Sequence, residues 1–133
     1  MNSNSPDQQQ QRRCGRMASF RYALRGLRLL IQTQPNARIH LCLTAVVVSA
    51  GILLGIARIE WICVILAMGL VWTAEGLNTA IEFLTDRVSP EWSEDAARVK
   101  DVAAAAVLLS AAAAAVIGCL VFVPPVLLLI ESL

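Results

Sequence analysis

The chain has 133 residues and a mass of 14.4 kDa, of which 57% are hydrophobic and 16% charged, with a mean hydropathy of +0.64. A soluble domain is about half apolar and a quarter charged, so there is too little polar surface here to cover a globular core. The formal charge of +1 excludes a strongly basic nucleic-acid binder, and the apolar residues come in blocks, which points to a small integral membrane protein.

Residues 1–17 are polar, Gln-rich and aperiodic, which predicts a disordered cytosolic tail; no apolar h-region marks a secretory signal. Over residues 18–33 the pattern changes. Phe20, Ala23, Leu24, Leu27, Leu30 and Ile31 recur at helical spacing, with Arg21, Arg25 and Arg28 on the opposite face. This predicts a cationic amphipathic helix at the bilayer interface.

A first span is expected at residues 39–57, with Arg38 snorkelling to the interface. Arg58, Ile59 and Glu60 make a tight connection to a second span at 61–84, which opens on the interfacial anchor Trp61. Ser89, Pro90 and Glu91 carry an N-cap residue, a first-turn proline and an acid, predicting a short cytosolic helix that feeds a third span at 101–123. Pro124 and Pro125 are expected to end it. Cys42, Cys63 and Cys119 sit inside apolar runs without CxxC pairs; with Cys14, they read as small buried groups rather than a disulfide or zinc framework. The fold class is therefore all-α and integral to the membrane, with three transmembrane helices behind a surface helix.

Ten of the eleven basic residues precede the first span or lie between the second and third; only Arg58 lies on the other side. This places the N-terminus and the second loop in the cytosol.

The polar residues within the spans carry the chemistry. Glu75, Asn78 and Glu82 follow at i, i+3 and i+7 and share one helical face, extended by Thr79 and Asp86. At 1.5 Å per residue, Glu82 lies about 32 Å from Trp61, near the cytosolic boundary, and Glu75 about 10 Å deeper. A carboxylate at that depth costs on the order of 3 kcal/mol. Such a group faces a partner helix or a site. Lys100 and Asp101 open the third span at the boundary that Glu82 and Asp86 share. The convergent set suits a divalent metal on oxygen ligands, a phosphate on the lysine and a proton on the buried acid. The plainer alternative is interhelical hydrogen bonding alone. His40 reads as a packing residue, Trp92 as an interfacial anchor, and the alanines of 103–106 and 111–115 as surfaces that let helices approach closely.

The string Glu75, Gly76, Leu77, Asn78, Thr79, Ala80, Ile81, Glu82, followed by Asp86, Ser89, Pro90, Glu91 and by Lys100 and Asp101 before the alanines of 103–106, resembles the prokaryotic diacylglycerol kinase and undecaprenol kinase family. Phe20, Arg21, Tyr22, Ala23 and Gly26, and Asn36 to His40, also fit, so the resemblance covers about residues 20–125. It implies that residues 18–133 form a homotrimeric lipid kinase of the bacterial cytoplasmic (inner) membrane. The enzyme would transfer the γ-phosphate of ATP, with Mg²⁺, to the hydroxyl of a membrane lipid, undecaprenol or diacylglycerol. By position, Glu75 resembles the general base, with Asn78 orienting the acid or the acceptor, and Glu82 resembles a Mg²⁺ ligand. The resemblance also implies that Lys100 offsets phosphate charge and that Asp101 contacts the nucleotide or holds Lys100. Tyr22 and Glu91 fall where the family contacts nucleotide. Where the family usually has a second metal-binding glutamate, this chain has Gln34, whose carbonyl can ligate Mg²⁺ without supplying charge.

No P-loop or kinase glycine loop is present in the sequence. A proton-coupled transporter is a competing reading of Glu75, but between Trp61 and Ala74 the stripe offers only Thr73. A catalytically weak or inactive membrane assembly protein of the same fold is the other alternative, supported by Gln34. The turn around residues 88–92 and residues 118–124 look closer to the undecaprenol kinase branch.

Overall fold

The structure, a computed structural model, describes residues 6–131, with side chains from residue 18 onward. It contains four helices: α1 (Pro6–Thr33), α2 (Pro35–Leu54), α3 (Arg58–Val88) and α4 (Glu94–Glu131). The last three are long and apolar enough to cross a membrane, and no strand occurs among the described residues.

Helix α1 begins at Pro6 rather than at residue 18, so the part of the expected tail that is described is helical; residues 1–5 lie outside the described residues. Proline is well placed at a first helical position, and the glutamines that follow are ordinary helix formers. The helix breaks at Gln34, whose φ of −104° and ψ of 117° are extended. Pro35 imposes this, since its ring disfavours helical geometry in the residue before it while fitting the start of α2. Arg38, expected to snorkel, instead turns back over the end of α1. Its Nε donates to the carbonyl of Ile31 at 3.0 Å and its Nη2 to that of Gln32 at 2.5 Å. The carbonyls left open at a helix C-terminus favour a cation there.

The α2–α3 connection is residues 55–57, not 58–60. Gly55 adopts a left-handed φ of 63°, and the N–H groups of Gly55 and Ile56 close on the carbonyls of Ile52 and Gly51. Glu60, read as part of the connection, belongs to the first turn of α3, where its Oε2 accepts the N–H of Ala57 at 2.6 Å. Trp61 therefore lies inside α3 and packs over Gly51.

Helices α3 and α4 run antiparallel along most of their length: Lys100 meets Asp86 at one end, and Val64 packs with Val121 and Ile56 near the other. Residues 89–93 form no helix, contrary to expectation. The N-cap of α4 is Ser93, whose Oγ accepts the N–H of Ala96 at 3.2 Å, with Glu94 and Asp95 in the first turn. Ser93 outcompetes Ser89 because two acids follow it directly and Arg98 closes on both. Ser89 Oγ instead donates to the carbonyl of Glu91 at 3.2 Å, holding the turn. Helix α4 passes through Pro124 and Pro125 to Glu131 rather than ending before them. The fixed φ of proline is itself helical, and an isolated loss of backbone bonds is tolerated in membrane helices.

The core is thin. Most large apolar side chains on α2, α3 and α4 point outward, among them Leu53, Leu66, Leu109 and Leu120, as expected where lipid or another subunit takes the place of water. Cys42, Cys63 and Cys119 are free and lie on these outward faces, not buried as expected; Cys63 and Cys119 fall off the α3–α4 seam, and Cys42 lies on the outer side of α2. The side chain of Cys14 lies outside the described residues.

Candidate functional site

Helix α3 carries the polar stripe on the face it turns toward the other helices. Val64, Ala67 and Val71 are buried on that face, and it continues directly into Glu75, Asn78 and Thr79. Glu75 is 1% exposed and is the largest fully buried side chain among the described residues. Its Oε2, the Oδ1 of Asn78 and the Oγ1 of Thr79 are buried without a hydrogen-bond partner. Unsatisfied buried polar atoms are rare and costly, and three in one cluster, within a membrane-spanning helix, mark a place built to meet something else. The ionisable groups that act on Glu75 through space are His40 and Glu82.

One turn beyond Asn78, Glu82 is held from both sides. Asn78 Nδ2 donates to its Oε1 at 3.0 Å, and Gln34 Nε2 donates to its Oε2 at 3.4 Å. The second contact spans 48 residues. It exists because Pro35 forces the break that turns Gln34 toward α3. Ala103, buried on α4, lies at about this level in the antiparallel register, and its small side chain lets the helices approach.

Asp86 and Lys100 form an ion pair that ties the ends of α3 and α4. Lys100 is thus held by Asp86 and not by Asp101, which lies exposed one residue further on. The reason is geometric: successive helical residues point about 100° apart, so Lys100 and Asp101 do not share a face. Tyr22 is exposed on α1 with the Arg25 guanidinium 5.9 Å from its ring centroid. Glu91 is exposed in the turn before α4. Of the predicted residues, then, Gln34, Asn78 and Glu82 come together, Glu75 lies on the same face two turns deeper, and Lys100 sits one turn beyond Glu82 through Asp86. Tyr22, Glu91 and Asp101 stand on separate exposed surfaces.

Below Glu75 the stripe opens into an apolar cavity of about 280 Å³ between α2, α3 and α4, lined among others by Val71, Ala111, Ala114 and Phe122. His40 lies at its Glu75 end. Thr44 and Trp72 are bonded to each other in its wall, Trp72 Nε1 donating to Thr44 Oγ1 at 3.1 Å. Sequence reasoning passed over His40 as a packing residue; the available signal was its spacing of four from Thr44, which puts both on one face of α2.

No group of three or more His, Cys, Asp or Glu side chains is placed to hold a metal among the described residues. A magnesium ion, however, is commonly held by one or two carboxylates plus substrate phosphates. Glu82, a single carboxylate that Gln34 and Asn78 both contact, fits that smaller requirement.

The sequence profile of prokaryotic diacylglycerol kinase matches residues 21–122, which takes in the stripe, the Asp86–Lys100 pair and the cavity. The chain belongs to the prokaryotic diacylglycerol kinase family. It is 35% identical over 106 residues to undecaprenol kinase of Bacillus subtilis, covering 80% of this chain and 86% of that protein. It is 40% identical over 112 residues to a diacylglycerol kinase of Synechocystis, covering 84% of this chain and 64% of that protein. A diacylglycerol kinase of Haemophilus influenzae is 32% identical over 83 residues, covering 62% of this chain and 70% of that protein. Membership makes this membrane protein a lipid kinase.

Proposed function

We propose that the chain transfers the γ-phosphoryl group of ATP to the primary hydroxyl of a membrane lipid, undecaprenol or diacylglycerol, with Glu75 as the general base. The observation that carries this reading is the buried, unpartnered carboxylate oxygen of Glu75, set between an apolar cavity and a charged helix end. A lipid alcohol fits that junction. Its hydrocarbon enters the cavity and its hydroxyl reaches Glu75, while the phosphates of the donor lie toward Glu82 and Lys100. Glu75 takes the hydroxyl proton as the lipid oxygen bonds to the γ-phosphorus; the bond to the bridging oxygen breaks, and ADP leaves. Asn78, about one turn from each carboxylate, orients the acceptor. Lys100, paired with Asp86 at the end of α4, offsets the phosphate charge, and Tyr22, Glu91 and Asp101 would meet the nucleotide only where it reaches the separate exposed surfaces that carry them. Magnesium held at Glu82 would supply charge neutralisation across the phosphates.

The relatives named for undecaprenol and for diacylglycerol support the acceptor as a lipid alcohol and leave both substrates in play. The apolar outward faces support assembly with further copies, as a homotrimer, and the distribution of basic residues supports a cytoplasmic-membrane protein with its N-terminus in the cytosol. The test is ³²P transfer from ATP–Mg²⁺ by purified protein in mixed micelles, each lipid offered separately, with Glu75→Gln as the blank. Phosphorylated lipid that disappears in the variant supports the reading. No product from either lipid, in folded protein, replaces it with the non-catalytic assembly role.

A further inference from the structure

Glu82 is the one carboxylate among Gln34, Asn78 and Glu82, and both of its oxygens already accept hydrogen bonds from neutral amides, at 3.0 Å from Asn78 and 3.4 Å from Gln34. An amide that donates turns its carbonyl away from the shared acceptor, and the Oδ1 of Asn78 is indeed left buried without a partner. The next carboxylate along the face toward the helix end, Asp86, is engaged by Lys100. A divalent cation arriving alone would therefore meet a single negative charge whose lone pairs are partly spent. Affinity of oxygen sites for hard cations is tuned by the number of charged ligands, and one satisfied carboxylate is a poor trap. Phosphate oxygens change the balance by bringing the missing charge.

From this we infer that Gln34 acts as a hydrogen-bond donor that holds Glu82 in place of a second metal ligand, so that the site takes a divalent cation only together with a nucleoside triphosphate. The inference rests on the ATP–Mg²⁺ reading above. It adds an order of events, metal and nucleotide entering as one complex, and assigns that order to a single side chain. It also predicts that Gln34→Glu turns the site into one that captures the ion by itself. Two carboxylates would then face each other, repelling until a cation joins them.

The experiment follows Mn²⁺ as the probe ion by electron paramagnetic resonance, with the full-length protein in detergent, with and without a non-hydrolysable ATP analogue. The wild type is expected to bind Mn²⁺ at least about tenfold more tightly when the analogue is present. Gln34→Glu should bind Mn²⁺ alone at least about tenfold more tightly than the wild type does, and its thermal midpoint should rise on adding Mn²⁺ while the wild-type midpoint does not move. Gln34→Met, similar in shape but unable to donate or to ligate, should hold the Mn²⁺–analogue complex within about threefold of wild type; a larger loss would make Gln34 a metal ligand and overturn the inference. Wild-type binding of Mn²⁺ that is equally tight without the analogue would also overturn it, leaving the kinase reading intact. Failure to bind Mn²⁺ in either condition, with the analogue itself unbound, would instead remove the ATP–Mg²⁺ reading and the inference with it. Should Gln34→Glu not fold, the nucleotide dependence of the wild type and the Gln34→Met result decide the question.

Discussion

The free oxygen of Glu75 has no structural bond to lose, so Glu75→Gln separates chemistry from folding. Lipid phosphorylation should fall by about 10²–10⁴-fold, the range a positioned general base supplies, while the thermal midpoint in detergent moves by no more than about 4 °C. Lys100 makes the complementary case. Its pair with Asp86 is partly exposed and is worth less than about 1 kcal/mol to the fold. Lys100→Met should therefore raise the KM for ATP about tenfold, the loss of one charge-assisted contact, with unfolding nearly unchanged; an unaltered KM would remove the lysine from the nucleotide site. The i, i+3, i+7 stripe of Glu75, Asn78 and Glu82 was legible in the sequence because helical periodicity alone places those side chains on one face. The contact from Gln34 to Glu82 was not, because it depends on how the break at Pro35 aims a side chain 48 residues away. Nor was the choice of Asp86 over Asp101 as the partner of Lys100, which is fixed by the register of α3 against α4.

Helix ends and close approaches hold the elements in place. Ser93→Ala removes the cap of α4 and should cost about 1 kcal/mol, read as a lowered midpoint in thermal or denaturant unfolding, whereas Ser89→Ala should cost less because Ser89 closes α3 through its backbone N–H, which the variant keeps. At Gly51, an added Cβ would come within 2.8 Å of the Trp61 ring, while at Gly69 it would meet nothing within 4 Å. Gly51→Ala is thus expected to destabilise by about 1–3 kcal/mol through overpacking, and Gly69→Ala to be neutral or slightly stabilising. Hydropathy found the three spanning helices; their ends shifted wherever a second candidate cap or turn lay nearby. Ser93 stands four residues from Ser89, and the left-handed Gly55 three residues before Arg58, close enough that side-chain capping and backbone geometry, not composition, decide each boundary. The proline pair was misread because a rule from water-soluble helices was applied to a segment that lies in lipid.

For the whole molecule, a thin core and outward apolar faces leave surface that the proposed homotrimer would cover in part. Native mass spectrometry from detergent should find three copies of the 14.4 kDa chain; a monomer retaining activity would contradict the assembly. Orientation is equally open to measurement. In a background with the native cysteines replaced, a membrane-impermeant maleimide applied to intact cells should label Arg58→Cys and spare Trp92→Cys, and the reverse pattern would invert the topology. The bias of basic residues made this expectation available before any coordinates. What the sequence withheld is the cavity beside α3, since empty space is a property of how three helices diverge and leaves no periodic trace.

Between Trp61 and Glu75, α3 is an unbroken helix, which fixes their axial separation at about 21 Å. If Trp61 rides at one water interface, the bilayer and not the protein decides how far Glu75 lies beneath the other. Hydrocarbon thickness varies among membranes from about 27 to about 33 Å, enough to carry the carboxylate from about 6 to about 12 Å below the opposite surface. The helix is then a gauge. In vesicles of graded acyl-chain length, turnover should pass through a maximum where a lipid hydroxyl and Glu75 come level and fall off on either side. The membrane that supplies the substrate would thus also tune the rate at which it is consumed.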